Sequence, residues 1–331
     1  MRLGVYGFGS IGRIIAREAL RRGHELIAVI DRDEKLIGRC LSEFLGEWAP
    51  ELEISDDPSS LNGTDLVIHA TTSYLDKAFP QLEEIISMKA HVVSTCETLA
   101  YPHYRYPDLA SKINGLAKAN KVSVIGCGIN PGLLLDTLVV VIASSSNLIE
   151  RIKAVRSLNA AKRRKPFQRK IGLGMKVEDA RSLMAQGKLT GHIGYAESVC
   201  LIAKAGDLTL SKVVEAQEPI EAEEDVKIGD LLIRRGEVLG IKGQGIGYLD
   251  ENQVIKVELH AYIGAPEYEE IMIEGADYSL RWRSSGTPGD LGTAAVILNV
   301  AEKLPSLNPG LHLISDLLPF KLRFKQPSPK D

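Results

Sequence analysis

The chain has 331 residues, 44% of them hydrophobic, enough for two domains with cores of their own. Its 40 Lys+Arg and 43 Asp+Glu nearly cancel, which excludes a bulk attraction to nucleic acid or to an anionic membrane surface. Four scattered cysteines (Cys40, Cys96, Cys127 and Cys200) make no C-x-x-C pair, so neither a disulfide framework nor a zinc site is expected and a cytoplasmic location is. The first residues read as a strand with no basic leader region or cleavage pattern, so no leader is expected. Its longest apolar run, 133–143, is too short for a bilayer and contains Asp136.

Apolar β-rich runs alternate with helical patterns through the first 140 residues. RLGVYGFG reads as a strand and a glycine turn, GRIIAREALRRG as a helix ending at Gly23, and ELIAVID as a strand ending at Asp31. DLVIHATT (65–72), AHVVSTCE (90–97) and KVSVIGCG (121–128) repeat the strand theme, with helices around 81–89 and 107–120 between them. Continuous apolar strands separated by helices predict an α/β domain, a Rossmann-type doubly wound parallel sheet covered on both faces. The opening Gly7-Phe8-Gly9-Ser10-Ile11-Gly12 gains weight from that setting. Gly7 makes the tight turn, Gly9 admits a pyrophosphate and Gly12 lets helix and strand pack closely. Ser10 and Ile11 open the helix, whose N–H groups and dipole suit phosphate. Asp31, 19 residues beyond Gly12, is placed to accept from adenosine ribose hydroxyls. That carboxylate favours NAD, whereas Arg13 or Arg32 could reach a 2′-phosphate or stack on adenine; the expected cofactor is NAD, with NADP tolerated.

Ligands in such sheets lie beyond the carboxyl ends of the strands. Thr71 and Thr72 end one strand, Ser73 is a helix-cap candidate, and Glu97 and Asn130 follow two others. Glu97 is suited to hold a substrate ammonium or take its proton; an exposed capping Glu is the other reading.

Beyond residue 136 the pattern shifts to alternating strands, at 151–160, 214–223, 252–264, 267–275 and 277–285, with helices near 177–187 and 196–206. This reads as a second, α+β domain with a mixed or antiparallel sheet. The expected boundaries are 1–135 for the dinucleotide domain, completed by a returning segment 290–331, and 136–289 for substrate binding and dimerisation. KQPSPKD at the end reads as a loose terminus. The segment 160–174 carries Lys162, Arg163, Arg164, Lys165, Arg169 and Lys170. It is either a solvated basic loop or a source of Arg169 or Lys170 for a substrate carboxylate. His192 sits between glycines in TGHIGYAES, where a loop approaches a ligand closely, and Glu197 follows it. No H-E-x-x-H, Cys/His cluster, G-x-S-x-G elbow or P-loop lysine occurs, so no metal is expected.

The stretches GFGSIGR (7–13), VIHATTSYL (67–75), VVSTCETLAYP (92–102), GCGINPGLLLDTL (126–138), RRKPFQRKIGLG (163–174), GHIGYAES (191–198) and GDLGTAAVILN (289–299) cover nearly the whole chain. In that order they resemble the dihydrodipicolinate-reductase-like family of NAD(P)-dependent enzymes, and within it the 2,4-diaminopentanoate dehydrogenase and amine dehydrogenase group. The resemblance implies a Rossmann domain, a mixed-sheet domain for substrate and dimer contacts, and reversible oxidative deamination of a primary amine such as a diamino acid. It also implies that the carboxylate of STCE, here Glu97, faces the amine. The family often has CEEL where this chain has CETL, so Thr98 replaces a second carboxylate. An imine or carbonyl reductase remains an alternative chemistry, and a non-catalytic NAD(P)-sensing module an alternative of another kind.

Overall fold

In a computed structural model the protein is described over residues 1–229, 231–319, 322 and 324; the stretch KQPSPKD (325–331) lies outside the described residues. The chain divides into two compact units, Met1–Leu133 with Gly289–Asp316, and Leu134–Pro288 with the end of the chain from Leu317.

The first unit is built on a parallel sheet. Strands β1 (Arg2–Tyr6), β2 (Glu25–Ile30), β3 (Leu66–His69), β4 (His91–Ser94) and β5 (Ser123–Gly126) are joined at one edge by a short sixth strand, Gly310–His312. The spatial order is Gly310–His312, β5, β4, β3, β1, β2, so the chain steps outward from β1 and reverses once. β3 and β5 are buried throughout, as parallel strands covered on two faces must be. Helix α1 (Ser10–Arg21) and the helix Gly289–Lys303 pack together. Arg22 donates to Asn299 Oδ1 at 2.8 Å and lies 3.2 Å from Glu302, which also meets His24 at 3.1 Å. Pro107 opens the helix Pro107–Asn120, whose missing N–H costs nothing at that position.

The second unit carries a six-stranded sheet in the order β13 (Ser279–Arg283), β12 (Tyr268–Gly275), β6 (Ile149–Asn159), β11 (Asn252–Tyr262), β10 (Val238–Leu249), β7 (Lys212–Glu221), with β8 (Val226–Ile228) and β9 (Leu231–Ile233) forming a separate hairpin. β6 and β11 run parallel and the other pairings are antiparallel, so the sheet is mixed. The helix Tyr195–Ala205 packs on one face, against β7, β10 and β11. Strand β10, whose apolar alternation breaks after Ile241, permits that packing through glycine. A Cβ on Gly243 would stand 2.2 Å from the Tyr195 hydroxyl, and one on Gly247 2.8 Å from Val199. Buried Arg156 lies 3.5 Å from buried Glu269, whose carboxylate also accepts from Ser284 and from the Thr287 hydroxyl and N–H. Leu322 and Phe324 enter this second core, Leu322 donating its N–H to the Ala205 carbonyl at 2.8 Å. Of the returning segment, Gly289–Asp316 lies with the first unit, and the described residues beyond it lie with the second. No described helix is long and apolar enough to cross a membrane.

A polar chain running from buried His69 and Ser94 to half-buried Gln81 and exposed Thr71 fixes the ends of β3 and β4. His69 Nδ1 lies 2.8 Å from Ser94 Oγ, and Nε2 2.8 Å from Gln81 Oε1 and 2.9 Å from Thr71 Oγ1. Ser94 Oγ accepts the Cys96 N–H at 3.1 Å, and Gln81 Oε1 accepts the Thr71 hydroxyl at 2.6 Å. Every group is satisfied when Nε2 carries the proton of a neutral imidazole. Burial pushes the His69 pKa down to about 4. Below pH 6.5 the unfolded chain binds a proton that the folded chain refuses until about pH 4, so stability falls through that window. Urea unfolding is expected to record a loss of up to ~3 kcal/mol from this group. His69→Gln should be less stable at pH 7 and lose less between pH 7 and pH 4.5 than the wild type.

Candidate functional site

The glycine turn has the geometry its sequence requires. Gly7 adopts φ +100°, open to glycine at little cost, and donates to the Ile30 carbonyl at 2.7 Å. A Cβ on Gly12 would lie 2.0 Å from the Gly7 carbonyl oxygen, so only glycine lets α1 sit this close to β1. Around Gly9 the space is open: a Cβ there would meet nothing within 4 Å. Gly9 and Ser10 are exposed, and no side chain caps the start of α1. An uncapped helix N-terminus behind an open glycine is a cradle for a pyrophosphate. Asp31 closes it, accepting the Phe8 N–H on Oδ2 at 2.6 Å and the Asp33 N–H on Oδ1 at 2.9 Å. A carboxylate has about four acceptor sites, so capacity remains for ribose hydroxyls. These residues fit a dinucleotide.

Arg13 and Arg32, the two arginines singled out in the sequence, separate. Arg13 donates from Nε to the Phe8 carbonyl at 3.0 Å, and its guanidinium lies 4.3 Å from the Phe44 ring centre, which Arg39 also covers at 4.4 Å. Arg32 turns toward Tyr6 and Glu84. Sequence reasoning passed over Phe44, Arg39 and Glu84, because nothing in their local pattern links them to the turn.

At the β3 end, Thr71 is exposed and Thr72 half-buried. Ser73 does not start the next helix as a side-chain cap: the helix Leu75–Ser87 has Tyr74 at its N-cap, and the Leu75 N–H goes to the Thr98 hydroxyl at 2.8 Å. Thr98 also donates to the Ser73 carbonyl at 3.2 Å. Thr98 is thus a buried tie between the β3 and β4 ends.

Glu97 begins a 3-10 turn, Glu97–Leu99, and is half-buried. The neighbouring Cys96 thiol is pushed up to about 12 by burial, with the Glu97 charge adding to it. Backbone contact ties this turn to β5: a Cβ on Gly126 would stand 2.5 Å from the Leu99 carbonyl carbon. The segment after β5 folds back tightly, Gly132 at φ +126° meeting the Gly128 backbone, with half-buried Asn130 between them. The glycine turn, Asp31, Thr71, Glu97 and Asn130 therefore all stand at the carboxyl edge of one parallel sheet.

In the second unit the basic segment contains a short helix, Lys165–Lys170, anchored by Gln168, which donates to the Ala160 and Ala161 carbonyls at 3.0 and 3.3 Å. Arg169 is exposed on its last turn. His192 is held by Gln217, which accepts the His192 N–H at 3.0 Å and donates to the Thr190 carbonyl at 2.7 Å. Its ring stands edge-on to Tyr195 at 4.7 Å. Burial, reinforced by Lys170, Arg156 and Arg163, pushes His192 down to about 3. Glu197 is buried in the helix Tyr195–Ala205, beside Ser198, which donates to Asp136 Oδ2 at 2.7 Å. Among the described residues, no group of three or more His, Cys, Asp or Glu is arranged to hold a metal ion.

The chain is similar to known dehydrogenases over almost its whole length. Residues 133–323 match the model of the 2,4-diaminopentanoate dehydrogenase C-terminal domain. A curated 2,4-diaminopentanoate dehydrogenase from Acetoanaerobium sticklandii is 30% identical over 328 residues, covering 95% of this chain and 92% of the relative. Among solved structures, an amine dehydrogenase from Mycobacterium smegmatis superposes with a TM-score of 0.85 at 21% identity, covering 98% of this chain and 97% of that one. A biliverdin reductase from Synechocystis, solved with biliverdin and NADP+, shares the fold at a TM-score of 0.55 and 12% identity, covering 91% and 90%. Dinucleotide cradle, strand-end carboxylate and full-length similarity converge, and the chain belongs to the 2,4-diaminopentanoate dehydrogenase family.

Proposed function

We propose that this protein is an NAD(P)-dependent amine dehydrogenase that oxidatively deaminates a primary amine, or in reverse joins ammonia to a ketone and reduces the product. The observation that carries the reading is a carboxylate, Glu97, at the end of a central strand of a dinucleotide-binding sheet in a member of this family. Gly7, Gly9, Ser10, Ile11 and Gly12 cradle the pyrophosphate, Asp31 takes the ribose, and Thr71 and Thr72 border the nicotinamide. Bound nicotinamide dinucleotide supplies the hydride acceptor for deamination and the donor for the reverse reaction. Glu97 holds the substrate ammonium and accepts its proton, leaving a neutral amine whose nitrogen lone pair drives hydride from the adjacent carbon. Water then adds to the resulting iminium carbon, and ammonia leaves. Asn130, one strand over, orients the substrate.

The relative's substrate, 2,4-diaminopentanoate, is a carboxylate. A carboxylate on this chain's substrate pairs with Arg169 or Lys170 of the basic segment through charge-assisted hydrogen bonds. A homodimer and a cytoplasmic location complete the reading. The open outer face of the mixed sheet, with Lys242, Lys256, Glu258 and His260 around a depression of 460 Å³, supports the first. Four scattered cysteines that make no C-x-x-C pair support the second.

Incubation with NADH or NADPH, ammonium and a panel of ketones should give dinucleotide oxidation that depends on ammonium. Oxidation without ammonium would indicate a carbonyl or imine reductase, and binding without turnover a sensing module. Glu97→Gln should lower kcat at least about tenfold while NADH affinity is kept, since a positioned acid–base group is worth about 10²–10⁴-fold. Lys170→Gln should raise KM about tenfold for a carboxylate-bearing substrate and leave an uncharged one little changed, matching the loss of one charge-assisted hydrogen bond.

A further inference from the structure

Arg32 follows Asp31 directly, yet its guanidinium is already engaged. Nη2 donates to the Tyr6 hydroxyl at 3.0 Å and lies 3.6 Å from Glu84 Oε1. Tyr6 in turn donates to Glu84 Oε2 at 2.9 Å. One cation, one phenol and one carboxylate thus form a closed triangle. Its base is rigid: Tyr6 is the buried last residue of β1, with its ring 5.9 Å from that of His69. Glu84 comes from the helix Leu75–Ser87, far along the chain from the glycine turn.

A dinucleotide with its adenosine ribose on Asp31 brings the 2′ position beside residue 32. In NADP that position carries a phosphate, which pairs well with a guanidinium. Two anions, Glu84 and the phosphate, then compete for one arginine. The other nearby cations are occupied as well. Arg13 holds the Phe8 carbonyl and stacks on Phe44, and Arg39 donates twice to Glu43 Oε2, at 3.1 and 2.7 Å.

We propose that Glu84 is a cofactor-specificity residue: together with Tyr6 it withholds Arg32 from a 2′-phosphate and biases the protein toward NAD over NADP. This rests on the dinucleotide lying over the glycine turn, and it adds a determinant outside that turn. The carboxylate is partly exposed, so its release should change affinity by severalfold rather than by orders of magnitude.

Dissociation constants for NADH and NADPH, measured by nicotinamide fluorescence on the full chain at fixed salt, test it in the wild type, Glu84→Gln, Arg32→Ala and the double variant. Glu84→Gln is expected to tighten NADPH about fivefold and to leave NADH within twofold, and the gain should vanish when Arg32 is also removed. An unchanged NADPH-to-NADH ratio in Glu84→Gln, or a gain that persists without Arg32, overturns the proposal. So does equal weakening of both cofactors, which marks Glu84 as purely structural. A wild-type protein that binds neither dinucleotide overturns the cofactor placement itself, a result distinct from the others.

Discussion

The Gly7 carbonyl oxygen occupies the place where a side chain on residue 12 would have to stand. Much of the first unit's chemistry depends on that contact. It sets the start of α1 against the end of β1, so that the helix N-terminus opens at the edge of the sheet and not over its face. Asp31 then fixes the turn from the neighbouring strand by accepting the Phe8 N–H. One carboxylate stabilises the loop and presents an acceptor to solvent on the same side. The strand-end residues Thr71, Glu97 and Asn130 gain their common position from the parallel register of β3, β4 and β5, which places their carboxyl ends side by side.

The parts of this arrangement that were legible in the sequence are those governed by local rules. Apolar runs in β1 to β5, the helical spacing of α1 and the proline-opened helix Pro107–Asn120 follow from periodicity and backbone chemistry. Strand β10 was illegible because its inner face carries glycine at 243, 245 and 247, which breaks the apolar alternation after Ile241. The strand Gly310–His312 is too short to carry a pattern. In the site, the glycine turn and Asp31 announced themselves by spacing. Thr98 and Glu84 did not, because each acts on a partner distant along the chain: Thr98 on Leu75, Glu84 on Tyr6 and Arg32. Composition gave the basic segment six equivalent cations, and only folding distinguishes exposed Arg169 from Lys170 beside His192.

Electrostatics in the second unit follow one scheme. Arg156 is immobilised by a buried carboxylate that also collects Ser284 and Thr287, so its charge is fixed in direction and cannot relax into water. Burial, that charge and those of Lys170 and Arg163 hold the His192 pKa far below its usual value, so the ring standing edge-on to Tyr195 is neutral near pH 7.

The bare inner face of β10 sets a limit on how this protein is remodelled. With backbone in direct contact with Tyr195 and the side chains after it, any bulk grafted onto Gly243, Gly245 or Gly247 must displace an entire helix before it alters a cavity. Libraries aimed at new amines therefore belong on the strand-end loops, where side chains already stand free of backbone, and those three positions are best left out of them.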